Sequence, residues 1–517
     1  MQIPSIIVKD LSVAIQNIPV LRGISFSLQP NQHLALLGAS GSGKTTLAKA
    51  FAGKIHFQGK IQMDFNSVSS GNLKIAFVEQ RYSFKNLSGT SDFYYQQRFN
   101  SFDADNAPAI LNELLATFPP GENEENKIAI IESGLSRLGI LHLKDAPLIQ
   151  LSSGEHKRFQ LIKTLINPPK LLILDSPFTG LDVSSRAGLN EILSDLTNSG
   201  TQLIVIPGTF PIPDCITHIA FLENNGLEFF GEKEYFDFKE TNYPDSPNVF
   251  QRTPPDDGMD AFSVPGSLSL TNESHRLTTL VKMVNVHIRY GNKSIIEKLN
   301  WKVSQGEKWL LKGPNGAGKS SLLNLVTGDH PQAYSNEIHL FGKRRGSGES
   351  IWDIKQKTGY VSPELHAYFD QSISCYQAIA SGFFDTIGLY KKLTADQHDI
   401  ILQWLDFLHL SHVQNKPLHS ISTSSQRLAL LARALVKNPS LLILDEPCQG
   451  LDLEQRDQFV SLIDHICMRS EKTLIYVSHE ESEIPGCSQK VLHLEQGKQT
   501  IFSLNKSSAM AEASSFF

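Results

Sequence analysis

The chain has 517 residues, 40% of them hydrophobic and 19% charged, with a formal net charge of −6. That size and balance describe a globular protein with sizeable cores, in roughly three domains or two large ones, and argue against a chain built to coat nucleic acid. No window approaches the roughly 18 uninterrupted apolar residues of a membrane helix, so no direct membrane span is expected.

The opening Met1-Gln2-Ile3-Pro4-Ser5 lacks the basic-then-apolar layout of a signal peptide. Ile6 to Val13 reads as a β run, and Leu34 to Leu37 as an apolar strand. Gly38-Ala39-Ser40-Gly41-Ser42-Gly43-Lys44-Thr45 follows, fits G-x-x-x-x-G-K-[ST], and opens a helix with Thr46. Its glycines let the backbone wrap an anion, Lys44 is placed to reach the outer phosphates, and Thr45 to ligate Mg²⁺. Phe93 to Asn100 is aromatic-rich, either an ordinary helical subdomain or a subfamily contact surface. Leu151-Ser152-Ser153-Gly154-Glu155 precedes a basic amphipathic helix from His156 to Leu165. Its serine and open N–H groups make an anion site at a helix N-terminus; in isolation the pentapeptide would be a plain cap. Leu171 to Leu174 suits a parallel strand covered on both faces, and it ends in Asp175. Gly180-Leu181-Asp182 follows, then the apolar run Leu203 to Ile206 leading to Pro207-Gly208. Turn formers and acids dominate 237–277, which reads as a loose linker.

The series then repeats. Val281 to Tyr290 is a β run, and Trp309 to Leu311 leads into Gly313-Pro314-Asn315-Gly316-Ala317-Gly318-Lys319-Ser320, followed by Ser321. The two lysines are offset by 319 − 44 = 275, and Asp175 and Asp445 by 445 − 175 = 270, so this is a duplicated domain, not a solenoid repeat. Strand candidates alternate with helix candidates in both halves, the pattern of an α/β sheet. A buried strand ending in Asp445-Glu446 puts one carboxylate on the Mg²⁺ shell, and the next can polarise a water for attack on the γ-phosphate. Leu474 to Ser478 is another strand, ending at His479, which alone would read as structural and after this set reads as a γ-phosphate contact. Lys343-Arg344-Arg345 reads as a solvated basic turn or a contact for a phosphate or acidic partner. Five cysteines, Cys215, Cys375, Cys448, Cys467 and Cys487, are odd in number and form no C-x-x-C pair, as expected of reduced thiols in a cytoplasmic protein. The last stretch, 507–517, reads as a frayed tail.

With both phosphate loops, both Gly-Leu-Asp turns, Gln80 and the pentapeptide at Leu151, the chain resembles the ATP-binding cassette (ABC) ATPases over nearly its whole length. The resemblance implies an α/β protein with two tandem domains of P-loop NTPase fold, residues 1–236 and 278–506. Each would have a mostly parallel core sheet, an antiparallel β subdomain and a helical subdomain. It implies an intramolecular sandwich that holds two ATP molecules, each between the phosphate loop of one domain and the signature pentapeptide of the other. Nucleotide contacts are then expected from Gly38, Ser40, Gly41, Ser42, Gly43, Lys44, Thr45, Thr46, Gln80, Ser152 and Gly154. The second half adds Tyr290, Gly313, Asn315, Gly316, Ala317, Gly318, Lys319, Ser320 and Ser321. Mg²⁺ would be held by Thr45, Gln80 and Asp175 in one site and by Ser320 and Asp445 in the other.

Sorted by composite site, the substitutions segregate. The first half has Ser176 where the second has Glu446, Gly208 for His479, and Ile15 for Tyr290, the residue expected to stack on adenine. The second signature reads Ile421-Ser422-Thr423-Ser424-Ser425, with Ser424 in the glycine position. All four changes fall in the site that joins Lys44 to Ser424. The other site joins Lys319, Ser320, Asp445 and the catalytic pair Glu446 and His479 to Ser152 and Gly154. One hydrolytic site and one that binds nucleotide but hardly cleaves it are expected. Pro363 stands where Gln80 aligns, leaving Glu364 or Ser362 to substitute, or slow activity.

The stretches Leu325 to Asn336 and Leu340 to Ile354, outside the generic motifs, resemble the molybdenum-transport ATP-binding subfamily. That implies a cytoplasmic ATP-binding subunit or regulator, peripheral to the inner membrane through a separate transmembrane permease. No oxyanion pocket for molybdate is readable. The alternative is a soluble non-transport ATPase, such as the ribosome-associated class. That class has a long, charged, helical linker, which the join here does not resemble. Pro363 favours the alternative, because membrane coupling runs through that loop.

Overall fold

The aliphatic runs beside each phosphate loop form the middle of two six-stranded sheets in the computed structural model. It describes residues 5–15, 18–39, 41–64, 75–79, 108–118, 123–148, 151, 153–181, 183–208, 211–238, 265, 279–290, 293–470, 472–495 and 497–504. Ser40, Gln80, Ser152, Asp182, the 93–100 segment, nearly all of 237–277 and the 507–517 tail lie outside the described residues. The chain divides into two compact units, residues 1–251 and 252–517.

The first unit contains β1 (Ser5–Ile15), β2 (Ile18–Leu28), β3 (Leu34–Leu37), β4 (Gln58–Asp64), β5 (Ile75–Val78), β6 (Leu171–Asp175), β7 (Gln202–Ile206), β8 (His218–Glu223) and β9 (Gly226–Glu232). Its main sheet runs β5-β6-β7-β3-β8-β9, parallel except for the β8–β9 hairpin. The second unit contains β10 (Thr279–Tyr290), β11 (Lys293–Ser304), β12 (Lys308–Lys312), β13 (Glu337–Leu340), β14 (Lys343–Arg344), β15 (Thr358–Val361), β16 (Leu441–Asp445), β17 (Thr473–Val477), β18 (Lys490–Glu495) and β19 (Lys498–Ser503). Its sheet repeats the order, β15-β16-β17-β12-β18-β19. An antiparallel sheet accompanies each: β2-β1-β4 and β11-β10-β13-β14.

The central strands β6 and β16 are aliphatic up to their terminal aspartate because both faces are covered. In β6, Leu171 and Ile173 face the core shared with β1 and β2, while Leu172 and Leu174 face the core shared with the helices. In the second unit Leu441 and Ile443 separate from Leu442 and Leu444 in the same way. A period of two sends alternate side chains to opposite faces, and each fully buried leucine contributes about 1.5–3 kcal/mol. The antiparallel β2 has one covered face: Leu21, Ile24, Phe26 and Leu28 are buried between exposed neighbours.

The helical subdomains pack on one face of each main sheet. Helices Ile110–Leu115, Glu124–Arg137 and Ser153–Leu165 bury Leu114, Leu135 and Phe159. Helices Cys375–Ala380, Ala395–Phe407 and Thr423–Leu435 bury Ile379, Trp404 and Leu430. Asp452 of the second Gly-Leu-Asp turn caps helix Leu453–Arg469, its side chain accepting from Gln455 N.

The basic triplet after β13 divides. Lys343 and Arg344 are exposed, but Arg345 points inward and is not part of a solvated turn. Its Nη1 donates to Glu349 Oε1 at 2.7 Å, its Nη2 to the Tyr334 hydroxyl at 3.2 Å, and the guanidinium lies over the Tyr334 ring. Gly346 N and Ser347 N also donate to Glu349. Arg345 is thus a brace for the antiparallel subdomain. Arg345→Ala removes the charge partner of Glu349, which keeps its backbone donors, and is expected to cost about 1.5–3 kcal/mol, read by chemical denaturation. Burial pushes the Glu349 carboxyl up, but the backbone donors and Arg345 outweigh it and hold it below the usual range. A depressed folded value means the brace is complete above the ordinary glutamate range and weakens only as pH falls through the depressed value.

Candidate nucleotide sites

Each phosphate loop leaves the end of a central strand, β3 or β12, and enters helix Lys44–Phe51 or Lys319–Thr327. Gly38 and Gly313 need the absence of a side chain: a Cβ would stand 2.2 Å from Leu222 O or Leu494 O, and φ is +136° or +145°. The strand beside the loop therefore fixes glycine as the first residue of the motif. Lys44 Nζ donates to Gly38 O (2.7 Å) and Ala39 O (2.6 Å); Lys319 Nζ donates to Gly313 O (2.7 Å) and Pro314 O (2.9 Å). Both ammonium groups are thus held across the loop, beside the open N–H groups of a helix N-terminus, where an anion is favoured. Gly41, Ser42, Gly43, Thr45 and Thr46 line the first loop and helix turn; Asn315, Gly316, Ala317, Gly318, Ser320 and Ser321 line the second.

In the first unit, Thr45 Oγ1 donates to Asp175 Oδ2 at 2.7 Å. A hydroxyl and a buried carboxylate in contact beside a phosphate loop are hard oxygen donors that fit Mg²⁺. Ser176 follows in the left-handed region, φ +51°, with Ser176 N bonded to Ile206 O, and its hydroxyl donates to Asp175 Oδ1 at 3.1 Å. Lys157 Nζ donates to Ser176 O. Burial lowers the Lys157 ammonium to about 8, against the Asp175 charge. A Cβ on Gly208 would lie 3.5 Å from Ser176 Oγ, so the residues in the carboxylate and histidine positions are neighbours here too, without groups able to move a proton.

The second unit keeps the same backbone and changes the chemistry. Glu446 has φ +41°, and Glu446 N bonds to Val477 O. The unusual turn is common to both halves, so the sheet imposes it, not the side chain. His479 Nε2 stands 3.3 Å from Glu446 Oε1, and Gln449 Nε2 is 3.4 Å from Glu446 Oε2. Burial pushes the Glu446 carboxyl up, but His479, Lys319 and Arg427 outweigh it and hold it below the usual range, so it is ionised at neutral pH. Asp445 is the opposite case: burial first, then the Glu364 and Glu446 charges, raise it well above the carboxylate range, against Lys319. A buried carboxylate that strains to stay ionised is a donor that a divalent cation would stabilise.

Pro363 is the first residue of helix Pro363–Tyr368, where its missing N–H costs nothing. Ser362 caps that helix by accepting from Leu365 N at 3.1 Å, so its hydroxyl has a structural task. Glu364 is the residue whose charge reaches Asp445. In the second signature, Ser422 likewise caps its own helix, accepting from Ser425 N at 3.1 Å. Gly154 lies in the first turn of helix Ser153–Leu165. Tyr290 ends β10 opposite Lys293, as Ile15 ends β1 opposite Ile18. Among the described residues, no group of three or more His, Cys, Asp or Glu is placed to hold a metal.

A family model described as ABC transporter matches residues 21–179 and 296–449. The chain belongs to the ABC ATP-binding family. It carries two ABC domains, and the sheets, loops and strand ends described above are theirs. The ABC transporter ATP-binding protein ModF of Escherichia coli is 36% identical over 89% of this chain and 91% of its own length. An uncharacterized ABC transporter ATP-binding protein of Schizosaccharomyces pombe is 31% identical over 93% of this chain and 96% of its own. Among solved structures, an RNase-L inhibitor aligns with TM-score 0.53 at 15% identity, covering 98% of this chain and 93% of that one, which shows a shared fold.

Some residues around these ABC sites have no motif to announce them. Arg427 donates to Gln449 O at 2.8 Å and adds its charge to Glu446. Lys157 and Arg427 lie 427 − 157 = 270 residues apart, so the repeat itself marks a basic residue behind each strand end.

Proposed function

We propose that this ABC protein hydrolyses ATP at one composite site and holds ATP at the other. The observation that carries the reading is Glu446 with His479 3.3 Å away in the second unit, against Ser176 and Gly208 in the first. In the hydrolytic site Lys319 and the helix N-terminus behind it bind the phosphates. Glu446, ionised and flanked by His479 and Gln449, accepts the proton of the attacking water. Mg²⁺, when bound by Ser320 and Asp445, would neutralise phosphate charge. Ser152 and Gly154 are assigned to this site, and Ser424 to the one at Lys44, on the family's head-to-tail arrangement.

Glu364 takes the place of the absent glutamine in this reading. Glu364→Ala removes both the oxygen donor and a charge that reaches Asp445, and is expected to raise, several-fold, the Mg²⁺ concentration needed for half-maximal nucleotide binding. Equal Mg²⁺ dependence of the variant and the parent, measured with a fluorescent ATP analogue, would leave Glu364 without this role.

As its wider role, we propose an ATP-binding subunit or regulator that works with a separate permease, supported by the similarity to ModF along nearly the whole chain. Among the described residues no helix is long and apolar enough to cross a membrane, so such a permease would be another chain. A molybdate-type cargo follows only from the subfamily likeness. Pro363 favours a second reading, a non-transport ATPase, since the loop that couples family members to a permease lacks its glutamine. Affinity purification of the tagged chain decides between them: a co-purifying permease supports the first, and co-sedimentation with ribosomes the second.

A further inference from the structure

Behind the Glu446–His479 pair lies a polar cluster that the hydrolysis scheme does not use. Ser478, buried at the end of β17 and immediately before His479, donates its hydroxyl to Glu483 Oε2 at 2.6 Å. Glu480 N donates to the same hydroxyl at 3.0 Å. The turn that carries His479 is therefore closed by one serine held between a backbone N–H and a carboxylate. Tyr476 and Cys448, both buried, complete the cluster, hydroxyl to thiol at 3.4 Å. The charged and titratable groups that face Glu483 are Glu480 on its own turn, Arg456 on helix Leu453–Arg469, Glu446 at the strand end, Tyr476 and Cys448. Burial first, with Glu480 and Glu446, pushes the Glu483 carboxyl up to about 7, while Ser478 and Arg456 act against it.

The duplicated half provides an internal control. Pro207 stands where Ser478 does, the first residue after β7, and Ile212 where Glu483 does, four residues beyond Gly208. Val205 and Phe178 replace Tyr476 and Cys448. Ile212, Val205 and Phe178 are buried and apolar. The polar cluster is thus present in the half that has Glu446 and His479 and absent from the half that has Ser176 and Gly208. A fold requirement would have kept it in both. Even a partly buried carboxylate is costly to keep, and an isoleucine fills the first unit's position without that cost.

We infer that Glu483 is a positioning residue for hydrolysis: through the Ser478 hydroxyl it fixes the turn that aims His479 at Glu446. This rests on the reading of the second unit as the hydrolytic one. Glu483→Ile, which copies the first half, is expected to lower kcat about tenfold or more, with ATP affinity within about twofold of the parent. Ser478→Ala cuts the same bond and should reproduce the loss; Glu483→Gln keeps an oxygen for Ser478 and should restore most of the rate. Because the effect runs through His479, Glu483→Ile should add nothing in a His479→Ala background. Thermal unfolding of each variant shows whether it is folded, and Ser478→Ala serves if Glu483→Ile is not. Parental kcat in a folded Glu483→Ile or Ser478→Ala, or losses that multiply with that of His479→Ala, would overturn the inference. If Glu446→Gln and His479→Ala themselves turn over ATP like the parent, it is the hydrolytic reading that fails.

Discussion

Replacing Glu446 by glutamine is expected to reduce ATP turnover by about two to four orders of magnitude while ATP remains bound. The substitution keeps the side chain's size and one oxygen toward His479 or Gln449, and removes the negative charge and with it the capacity to accept a proton. Binding should survive because the groups that hold phosphate, Lys319 and the loop N–H groups, belong to different elements, β12 and the helix after it. The measurement is steady-state phosphate release alongside equilibrium binding of ATP. Parental turnover in Glu446→Gln would sink the assignment of this residue as the base. The mirror experiment is Ser176→Glu in the first unit. The backbone there already has the same left-handed turn, yet Gly208 offers no ring to flank a new carboxylate, so little turnover should be gained.

Lys44→Ala and Lys319→Ala should behave unequally, the second expected result of large size. Both lysines make the same bonds to their loops, so the two substitutions remove the same contacts. On the proposed reading their consequences differ because the Lys319 loop lies beside Glu446, where the first unit has Ser176. Lys319→Ala is expected to abolish turnover. Lys44→Ala should empty one of two nucleotide positions and spare much of the rate. Rapid quenching after brief incubation with Mg-ATP gives the direct reading: ATP retained at the Lys44 site beside ADP at the Lys319 site. A complete loss of activity in Lys44→Ala would instead mean that nucleotide at that site is required before the other can act.

Much of this was legible before any coordinates. The aliphatic runs at Leu171 and Leu441 announce parallel strands covered on both faces, because only such strands lack a polar side. The glycines of the loops and the Asp-Glu strand end carry their chemistry in local spacing, and the 270-residue offset shows which positions have diverged. Other features were not legible. Arg345 reads as a surface basic residue beside Lys343 and Arg344, and only the packing of Tyr334 and Glu349 around it makes it a buried brace. Ser362 and Glu364 are equal candidates in the sequence; the helix cap occupies one and leaves the other's charge on Asp445.

The sequence by itself determined the family, the duplication and the positions at which the two halves differ, since each depends on residue identity at fixed spacing along the chain. Tertiary structure alone decided which side chains share a charge environment. Glu446 is held ionised while its neighbour Asp445 is pushed the other way, although both are carboxylates at the end of one strand. The difference comes from His479 and Arg427, which act on Glu446, and Glu364, which acts on Asp445; all are far away in the chain and close in space, and burial makes each of those charges count.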